Sequence, residues 1–349
     1  MPSITLRLLL AVAWCQACAR GFTDIVLFGD SLSDDCTHGA SSIVDEALNT
    51  DQLYPGPPYY KGCVFSNGPV YLDIAAGLLN ITAQNYAVGG ATSGAVTGIL
   101  GIPAGFANRT SATSVEVPST LEQAELYIDA SNDTLSNSTL YTIYIGGNDY
   151  VDTLAGLGDA TVQSVLNYTI EAMEVLYDAG ARMFLTQTLP SIGQTPAVAS
   201  RGPAAMVVGD KLTAGHNTGL LAAVAQFTAE HPAVSVLVFD FYTLEQGLRK
   251  NATQYNITDL NTPCYNGRVA GQSLLPVSAS PSVCSNPNNH AFWDAIHPTA
   301  VIHQLWGAAL AAHLQPYLFA GVQPSAALIA LNGTDAVQSS QLRMFGQEV

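Results

Sequence analysis

The feature that most constrains the fold is a series of short apolar runs that alternate with helical patterns and end in glycine-rich turns. The runs cover residues 25–28, 81–88, 140–145, 182–188 and 234–240. Helical periodicity covers residues 120–129, 161–179, 203–230, 243–250 and 298–314, with a further helix following Asn67-Gly68-Pro69. This alternation predicts one α/β domain in which helices cover both faces of a parallel sheet.

Three of the predicted strands run into polar turns that carry groups suited to chemistry. The turns are Gly29-Asp30-Ser31, Gly89-Gly90 and Gly146-Gly147-Asn148. Carboxyl ends of parallel strands share one edge of a sheet, so we expect the three turns to meet. The acidic pair Asp34-Asp35 suits the first turn of a helix that follows Ser31.

A serine hydroxyl needs a base, and Asp294-Ala295-Ile296-His297 supplies a histidine with an acid three residues before it. Each motif alone is common in turns and surface loops, but their combination in this order favours a catalytic interpretation. Ser31 is then the nucleophile, His297 the base and Asp294 its orienter. The Ser31 amide, a glycine amide and the Asn148 side chain are candidate donors to an oxyanion.

These blocks resemble the GDSL, or SGNH, hydrolases: GDSL at residues 29–32, NYAVGGATS around Gly90, GGND with Asn148, and DAIHP. The resemblance implies a flavodoxin-like three-layer α/β/α sandwich with a central parallel sheet, and acyl-ester hydrolysis without cofactor or metal. It implies an oxyanion hole of Ser31, Gly90 and Asn148, in which Gly90 fits better than its neighbour Gly89. The histidines near the motif that lack a preceding acid are interpreted as structural: His290, His303 and His313.

The segments FGDSLSDD, PPYYKG, FSNGPV and FWDAIHPT are similar to fungal members grouped with family 16 carbohydrate esterases. This similarity implies removal of acetyl groups from xylan-type or other sugars. Two positions differ from that pattern, because Cys36 stands where glycine is common and Cys63-Val64 where one arginine is frequent.

The sequence is compatible with three kinds of protein: a carbohydrate esterase, a lipase and a protein without catalytic activity. Tyrosines of the 37–66 loop (Tyr54, Tyr59 and Tyr60) either line a sugar-binding wall or pack within the loop. The apolar segment 91–107 would instead suit the longer acyl chains of a lipase or lysophospholipase. A catalytically silent surface or binding protein is the third interpretation.

The N-terminus has the pattern of a secretory signal peptide, in which Arg7 precedes an apolar run that ends at Ala17-Cys18-Ala19. We therefore expect a leader at 1–19, a hydrolase domain at 20–320, and a disordered tail at 321–349. No later run is long enough to span a bilayer, so we expect an extracellular protein without stable membrane insertion.

Four cysteines remain after the predicted leader, and an even number in a secreted chain favours disulfides. Of three possible pairings, loop closure favours Cys36–Cys63 and Cys264–Cys284. Eight Asn-x-Ser/Thr sequons predict a glycosylated surface: Asn80, Asn108, Asn132, Asn137, Asn167, Asn251, Asn256 and Asn332.

The chain has 27 acidic residues against 11 lysines and arginines, a formal net charge of −16. Nucleic acids and anionic membranes are therefore poor partners. We expect a monomer that acts on a small acylated substrate, with an acetylated oligosaccharide as the leading candidate.

Overall fold

The computed structural model describes residues 21–103, 106–267, 280–319 and 342–345. The predicted leader at 1–19 lies outside the described residues. The strands are β1 (Asp24–Gly29), β2 (Thr82–Asn85), β3 (Gly98–Ile102), β4 (Thr113–Val117), β5 (Thr139–Tyr144), β6 (Met183–Gln187), β7 (Ser235–Phe239), β8 (Asp259–Pro263), β9 (His290–Phe292) and β10 (Leu342–Phe345).

The helices alternate with these strands along the chain. They are α1 (Ala40–Leu48), α2 (Tyr71–Leu79), α3 (Thr120–Ala130), α4 (Gly147–Ala155), α5 (Val162–Asp178), α6 (Pro196–Ala199), α7 (Pro203–Glu230), α8 (Phe241–Lys250) and α9 (Ala300–Leu314). Short 3-10 helices lie at Tyr60–Gly62, Phe106–Asn108, Ile192–Gln194, Ala252–Tyr255, Pro287–Asn289 and Gln315–Tyr317.

The main sheet has the strand order β2-β1-β5-β6-β7-β10, and its first five strands are parallel. This is the flavodoxin-like order, so the predicted α/β/α sandwich is confirmed. The direction of winding reverses at β1, which pairs with both β2 and β5. In such sheets, ligands bind where neighbouring connections diverge to opposite faces.

Alternate residues of the central strands β1, β5, β6 and β7 enter separate cores on the two faces of the sheet. Val26 and Phe28 of β1 pack with residues from α3, α5 and α7. Ile25 and Leu27 pack on the other face with residues from α2, α8 and α9. Burial on both faces accounts for the nearly continuous apolar runs that identified the strands.

Helix α1 was not expected, since the sequence predicts a loop over residues 37–66. The prediction that Asp34 and Asp35 lie in the first turn of a helix is also wrong, because α1 begins only at Ala40. Asp34 instead caps this helix from outside, and its Oδ2 accepts from the Ala40 amide at 2.8 Å. A cap six residues before the first helical residue has no local sequence signature.

Strands also lie in two regions where the sequence predicts none. Residues 91–118 hold the antiparallel hairpin β3-β4, and β8 pairs with β9 in a small parallel sheet. Within the predicted tail the structure describes only β10, which pairs antiparallel with β7. The expectation of a disordered tail at 321–349 stays a prediction.

Disulfides join Cys36 to Cys63 and Cys264 to Cys284. Both local pairings favoured by loop closure are therefore confirmed.

Among the described helices, none combines the length and the apolar character needed to cross a bilayer.

Candidate active site

The serine, histidine and aspartate predicted from the sequence meet at the carboxyl edge of the sheet. Ser31 lies in the turn after β1, and its Oγ is 2.8 Å from Nε2 of His297. The other ring nitrogen, Nδ1, is 2.7 Å from Oδ2 of Asp294. All three side chains are buried, with Ser31 only 7% exposed. The arrangement places one hydroxyl, one imidazole and one carboxylate in series.

The Asp294 carboxylate is held in position by several donors. Its Oδ1 accepts from the amides of Ile296 and His297 at 2.9 and 2.8 Å, and its Oδ2 accepts from the Tyr59 hydroxyl at 2.7 Å. Burial acts to raise the pKa of Asp294, but the charge of His297 and the hydrogen bonds from His297 and the Ile296 amide hold the pKa below its ordinary value. The carboxylate therefore stays ionised and acts as an acceptor.

The predicted oxyanion donors are the Ser31 amide, the Gly90 amide and the Asn148 side chain. Asn148 Nδ2 donates to Ala91 O at 2.8 Å, which fixes the orientation of an amide that has a second hydrogen to donate. The Gly89 amide donates to Asp34 Oδ2 at 2.8 Å and is thereby occupied. Among the described residues, the Ser31 and Gly90 amides have no protein acceptor. The role of Gly90 as an oxyanion donor stays a prediction.

Buried polar side chains hold these turns against each other. Besides the Ala40 and Gly89 amides, Asp34 accepts from the Cys36 amide at 2.9 Å, while burial raises the pKa of Asp34 to about 6. Asp149 accepts from the Ser93 hydroxyl at 2.7 Å and thereby links α4 to the glycine turn.

A narrow cavity of about 90 Å³ adjoins Ser31 and Asn148 on the α8-α9 side of the sheet. Its lining is mostly aliphatic and aromatic: Leu189, Ile192, Leu248, Ile257, Ile302 and Trp306. Asp30 also lines the cavity, and burial raises its pKa to about 7. The cavity can take an apolar group attached to the reacting carbonyl.

The tyrosines of the 37–66 loop do not form the wall that one interpretation placed there. Tyr54 and Tyr59 are buried, at 1% and 5% exposure, so neither offers a ring face to a sugar. Tyr60 is half-buried beside Lys61. The packed-loop alternative describes Tyr54 and Tyr59 correctly. The contact of Tyr59 with Asp294 links residues 235 positions apart, and no local pattern indicates it.

The histidines interpreted as structural have partners away from Ser31. His303 Nδ1 accepts from the Tyr71 amide at 3.2 Å, and burial lowers the pKa of His303 to about 3, which keeps the ring neutral. His290 lies 3.2 Å from Thr262 O, and His313 lies 2.9 Å from Ala309 O.

Among the described residues, one cluster has side chains close enough to hold a metal ion: Glu174, Glu230 and His231. His231 and Glu230 lie at the end of α7, before β7, and therefore at the amino edge of the sheet. His231 already pairs with Glu174 at 2.9 Å. This cluster contributes no residue to the site described around Ser31.

Most sequon asparagines in the described part of the chain are exposed: Asn80, Asn108, Asn132, Asn137, Asn167 and Asn256. Asn251 is half-buried, and its side chain donates to Gly247 O at 3.0 Å. Asn332 lies outside the described residues.

Comparison with known proteins connects this site to an enzyme family. The sequence pattern that defines the "GDSL-like Lipase/Acylhydrolase" family matches residues 25–310. The phosphatidylcholine-sterol acyltransferase of Aeromonas hydrophila is 25% identical over 316 residues, which are 81% of this chain and 87% of the relative. The thermolabile hemolysin of Vibrio parahaemolyticus is 27% identical over 291 residues, 80% of this chain and 61% of the relative.

Solved structures that match this chain share little sequence with it. A family 2 carbohydrate esterase of Corynascus has a TM-score of 0.42 at 14% identity, over 84% of this chain and 66% of that one. An extracellular lipase of Streptomyces rimosus has a TM-score of 0.34 at 18% identity, over 83% of this chain and 97% of that one.

Proposed function

Because the chain belongs to the GDSL-like lipase/acylhydrolase family, we propose that it hydrolyses carboxylic acyl esters with Ser31, His297 and Asp294 as a catalytic triad. The single observation that carries this proposal is the continuous series of hydrogen bonds from Ser31 Oγ through the His297 ring to Asp294. Nucleophile, base and orienter are within direct reach of each other, as acyl transfer through serine requires.

In the proposed first step, His297 Nε2 takes the Ser31 proton while Oγ forms a bond to the acyl carbon. The carbonyl oxygen becomes an oxyanion, which the Ser31 and Gly90 amides and the Asn148 side chain stabilise. The intermediate collapses as the C–O bond to the alcohol breaks, and His297 donates its proton to that leaving group. Asp294 keeps the ring in the tautomer with its proton on Nδ1.

In the second step, water replaces the alcohol. His297 takes a proton from this water, hydroxide adds to the acyl carbon, and the bond to Ser31 Oγ breaks. The proton returns to Ser31, and the carboxylic acid leaves. The chain's own residues supply every proton transfer in this sequence.

For the acyl group, we propose a short to medium aliphatic chain. The cavity beside Ser31 is apolar and has a volume of about 90 Å³. A cavity of about 150 Å³ lined by similar side chains holds a benzene molecule. A smaller cavity of this kind therefore suits a chain of about four to six carbons, with part of a longer chain extending into solvent.

An O-acetylated carbohydrate is the second substrate class, supported by the similarity of the FGDSLSDD and FWDAIHPT segments to family 16 carbohydrate esterases. Tyrosines of the 37–66 loop do not support the carbohydrate class, because Tyr54 and Tyr59 are buried. An acetyl group would fill only part of the cavity and would gain little from its apolar lining.

The experiment is a series of aryl esters from acetate through butyrate, hexanoate and octanoate to palmitate, measured beside Ser31→Ala. We expect kcat/KM to be highest for butyrate or hexanoate, and we expect Ser31→Ala to lose activity by about 10³-fold or more. Highest activity on acetate, together with acetate release from an acetylated xylo-oligosaccharide, would favour the carbohydrate class. Full activity in Ser31→Ala would reject the triad.

A variant of the cavity separates the two classes further. Ile302→Phe on α9 reduces the cavity volume and is expected to lower kcat/KM for hexanoate more than for acetate. Leu305→Phe on the same helix, outside the cavity lining, is the matched control. Equal loss on both esters would show that the cavity does not receive the acyl chain.

We also propose that the protein is secreted and glycosylated. The leader pattern at 1–19, two disulfides and exposed sequons support this proposal. N-terminal sequencing of protein from the culture medium should begin near Arg20, and retention of the intact leader inside the cell would contradict it.

A further inference from the structure

Tyr59 lies in the loop before α2 and contacts the triad without being part of it. Its hydroxyl donates to Asp294 Oδ2 at 2.7 Å, and the same oxygen is 2.7 Å from His297 Nδ1. One carboxylate oxygen therefore receives two hydrogen bonds, one from the ring and one from the phenol. Charge-assisted hydrogen bonds of this kind are about twice as strong as neutral ones.

The Tyr59 ring is fixed on several sides. It packs edge-on against Tyr265 and Trp293, with ring centroids 5.6 and 6.1 Å away. Its backbone amide donates to Gly56 O at 3.2 Å, and its carbonyl accepts from the Gly62 amide at 2.9 Å. The hydroxyl is therefore presented to Asp294 by a rigid segment rather than by a mobile side chain.

The same loop also contacts the base. Phe65 lies with its ring 5.2 Å from the His297 ring, and Ser66 Oγ donates to Pro298 O at 2.8 Å. The disulfide at Cys63 ties this loop to the segment that follows Ser31. The loop thus touches the elements that carry Asp294, His297 and Ser31.

We propose that Tyr59 is a positioning residue for ester hydrolysis, whose hydroxyl orients the Asp294 carboxylate toward His297 and takes up part of its negative charge. The inference rests on the proposed function, because it concerns the same triad. Burial, with the charge of Asp294, raises the pKa of Tyr59 well above its ordinary value, so the phenol remains a donor throughout the working pH range.

Without the Tyr59 hydroxyl, Asp294 Oδ2 has one donor fewer, and more of its negative charge faces the ring. The charged imidazolium form of His297 is then favoured, and His297 keeps its proton to a higher pH. The other titratable groups that act on this pair are Tyr265, on Asp294, and Asp30 and His303, which interact with His297. None of these side chains is altered by the substitution.

The test is Tyr59→Phe, which keeps the ring and removes only the hydroxyl. We expect kcat to fall about tenfold, because the hydrogen bond to a charged group that orients the base is lost. KM should stay within about twofold, since Tyr59 is not part of the acyl cavity. The acid limb of the kcat/KM profile should move upward by about half a pH unit.

A titration of the His297 ring by NMR in isotope-labelled protein gives the same shift without any substrate. Tyr54→Phe is the matched control, because it removes the hydroxyl of another buried tyrosine in the same loop. An upward shift in Tyr59→Phe but not in Tyr54→Phe supports the proposal.

Three results would overturn it: an unchanged His297 titration in Tyr59→Phe, a downward shift, or loss of folding. The last would assign Tyr59 a purely structural role. If wild-type protein hydrolyses no ester while the ring titration still moves upward, the proposed function fails and the Tyr59 contact keeps its electrostatic effect.

Discussion

Two adjacent glycines after β2 have separate tasks. The Gly89 amide donates to Asp34, whereas Gly90 has φ +83 and an amide without an acceptor in the described part of the chain, as the proposed oxyanion role requires. The positive φ of Gly90 favours glycine, and a Cβ there would lie 2.7 Å from Leu100 Cδ2, so the end of the Leu100 side chain would have to move. The turn thus serves both the architecture of the site and its chemistry.

The first prediction at this scale concerns Asn148. Replacing Asn148 by alanine removes one oxyanion donor, and we expect kcat to fall by about 10²–10³ with little change in KM. Steady-state kinetics on the preferred aryl ester measures both constants. Asn148→Asp keeps the shape of the side chain but places a negative charge beside the oxyanion. Substantial activity in Asn148→Asp would show that the side-chain amide is not a donor in the transition state.

The second prediction concerns Asp30. Burial raises the pKa of Asp30 to about 7. Between about pH 4 and 7, the Asp30 carboxyl therefore keeps its proton in the folded protein but has lost it in the unfolded chain. The free energy of unfolding therefore falls as pH rises through this range. Asp30→Asn keeps the acceptor for the Leu32 amide, which Asp30 Oδ1 now binds at 3.0 Å, and removes the charge.

Between pH 5 and pH 8, the free energy of unfolding should fall by about 2 kcal/mol more in the wild type than in Asp30→Asn. Urea unfolding at both pH values gives the difference, and the other titrating groups are common to both proteins. Identical losses in the two proteins would mean that Asp30 ionises at an ordinary pH despite its burial.

At the scale of elements, α2 and α9 stabilise each other's first turns across the chain. Asn67 Oδ1 accepts from the Ala300 amide at 2.7 Å, at the start of α9, while His303 of α9 accepts from the Tyr71 amide, at the start of α2. The sequence predicts a helix directly after Asn67-Gly68-Pro69, but the Asn67 side chain accepts from a helix more than 230 residues further along the chain. Local capping rules do not predict such a distant contact.

The loop that follows Ser31 contains a residue in a strained backbone conformation. Cys36 has φ +82, a conformation that favours glycine, and it is joined to Cys63. The disulfide compensates for a conformation that costs a non-glycine residue about 1 kcal/mol or more.

The third prediction compares two double variants that both lack this disulfide. Cys36→Gly/Cys63→Ala should be more stable than Cys36→Ala/Cys63→Ala by about 1 kcal/mol, because only glycine relieves the strain. Relative to the oxidised wild type, the alanine pair should lose about 3 kcal/mol, as expected for removal of a crosslink of this size, and the variant with glycine about 2 kcal/mol. Equal free energies of unfolding in the two variants would show that the strain is relieved by local rearrangement.

At the scale of the whole molecule, the predictions that succeeded rest on signals that recur along the chain. Buried strands, their glycine turns and the spacing of Asp294 and His297 are each contained in a few residues, and the βα alternation places them on one sheet edge. Features that depend on distant partners had no such signal. Tyr59 beside Asp294, the external cap from Asp34 and the apolar cavity all arise only when separate elements pack together.

The two edges of the sheet differ in what they carry, and this leads to the last prediction. The candidate active site lies at the carboxyl edge, whereas three exposed sequons follow helices and precede strands at the amino edge. Asn80 separates α2 from β2, and Asn132 and Asn137 lie between α3 and β5. Glycans at these asparagines would therefore extend away from the substrate.

A variant with Asn80, Asn132 and Asn137 all changed to glutamine should be secreted with a lower mass than the wild type. Its kcat/KM on a small aryl ester should stay within about twofold, because surface changes distant from the site rarely alter transition-state binding. Mass spectrometry before and after enzymatic deglycosylation, together with the ester assay, measures both effects. An unchanged mass would contradict glycosylation at this edge. A large fall in kcat/KM at full stability would mean that the amino edge influences the triad through the strands of the sheet, which have Ser31 and Asn148 at their opposite ends.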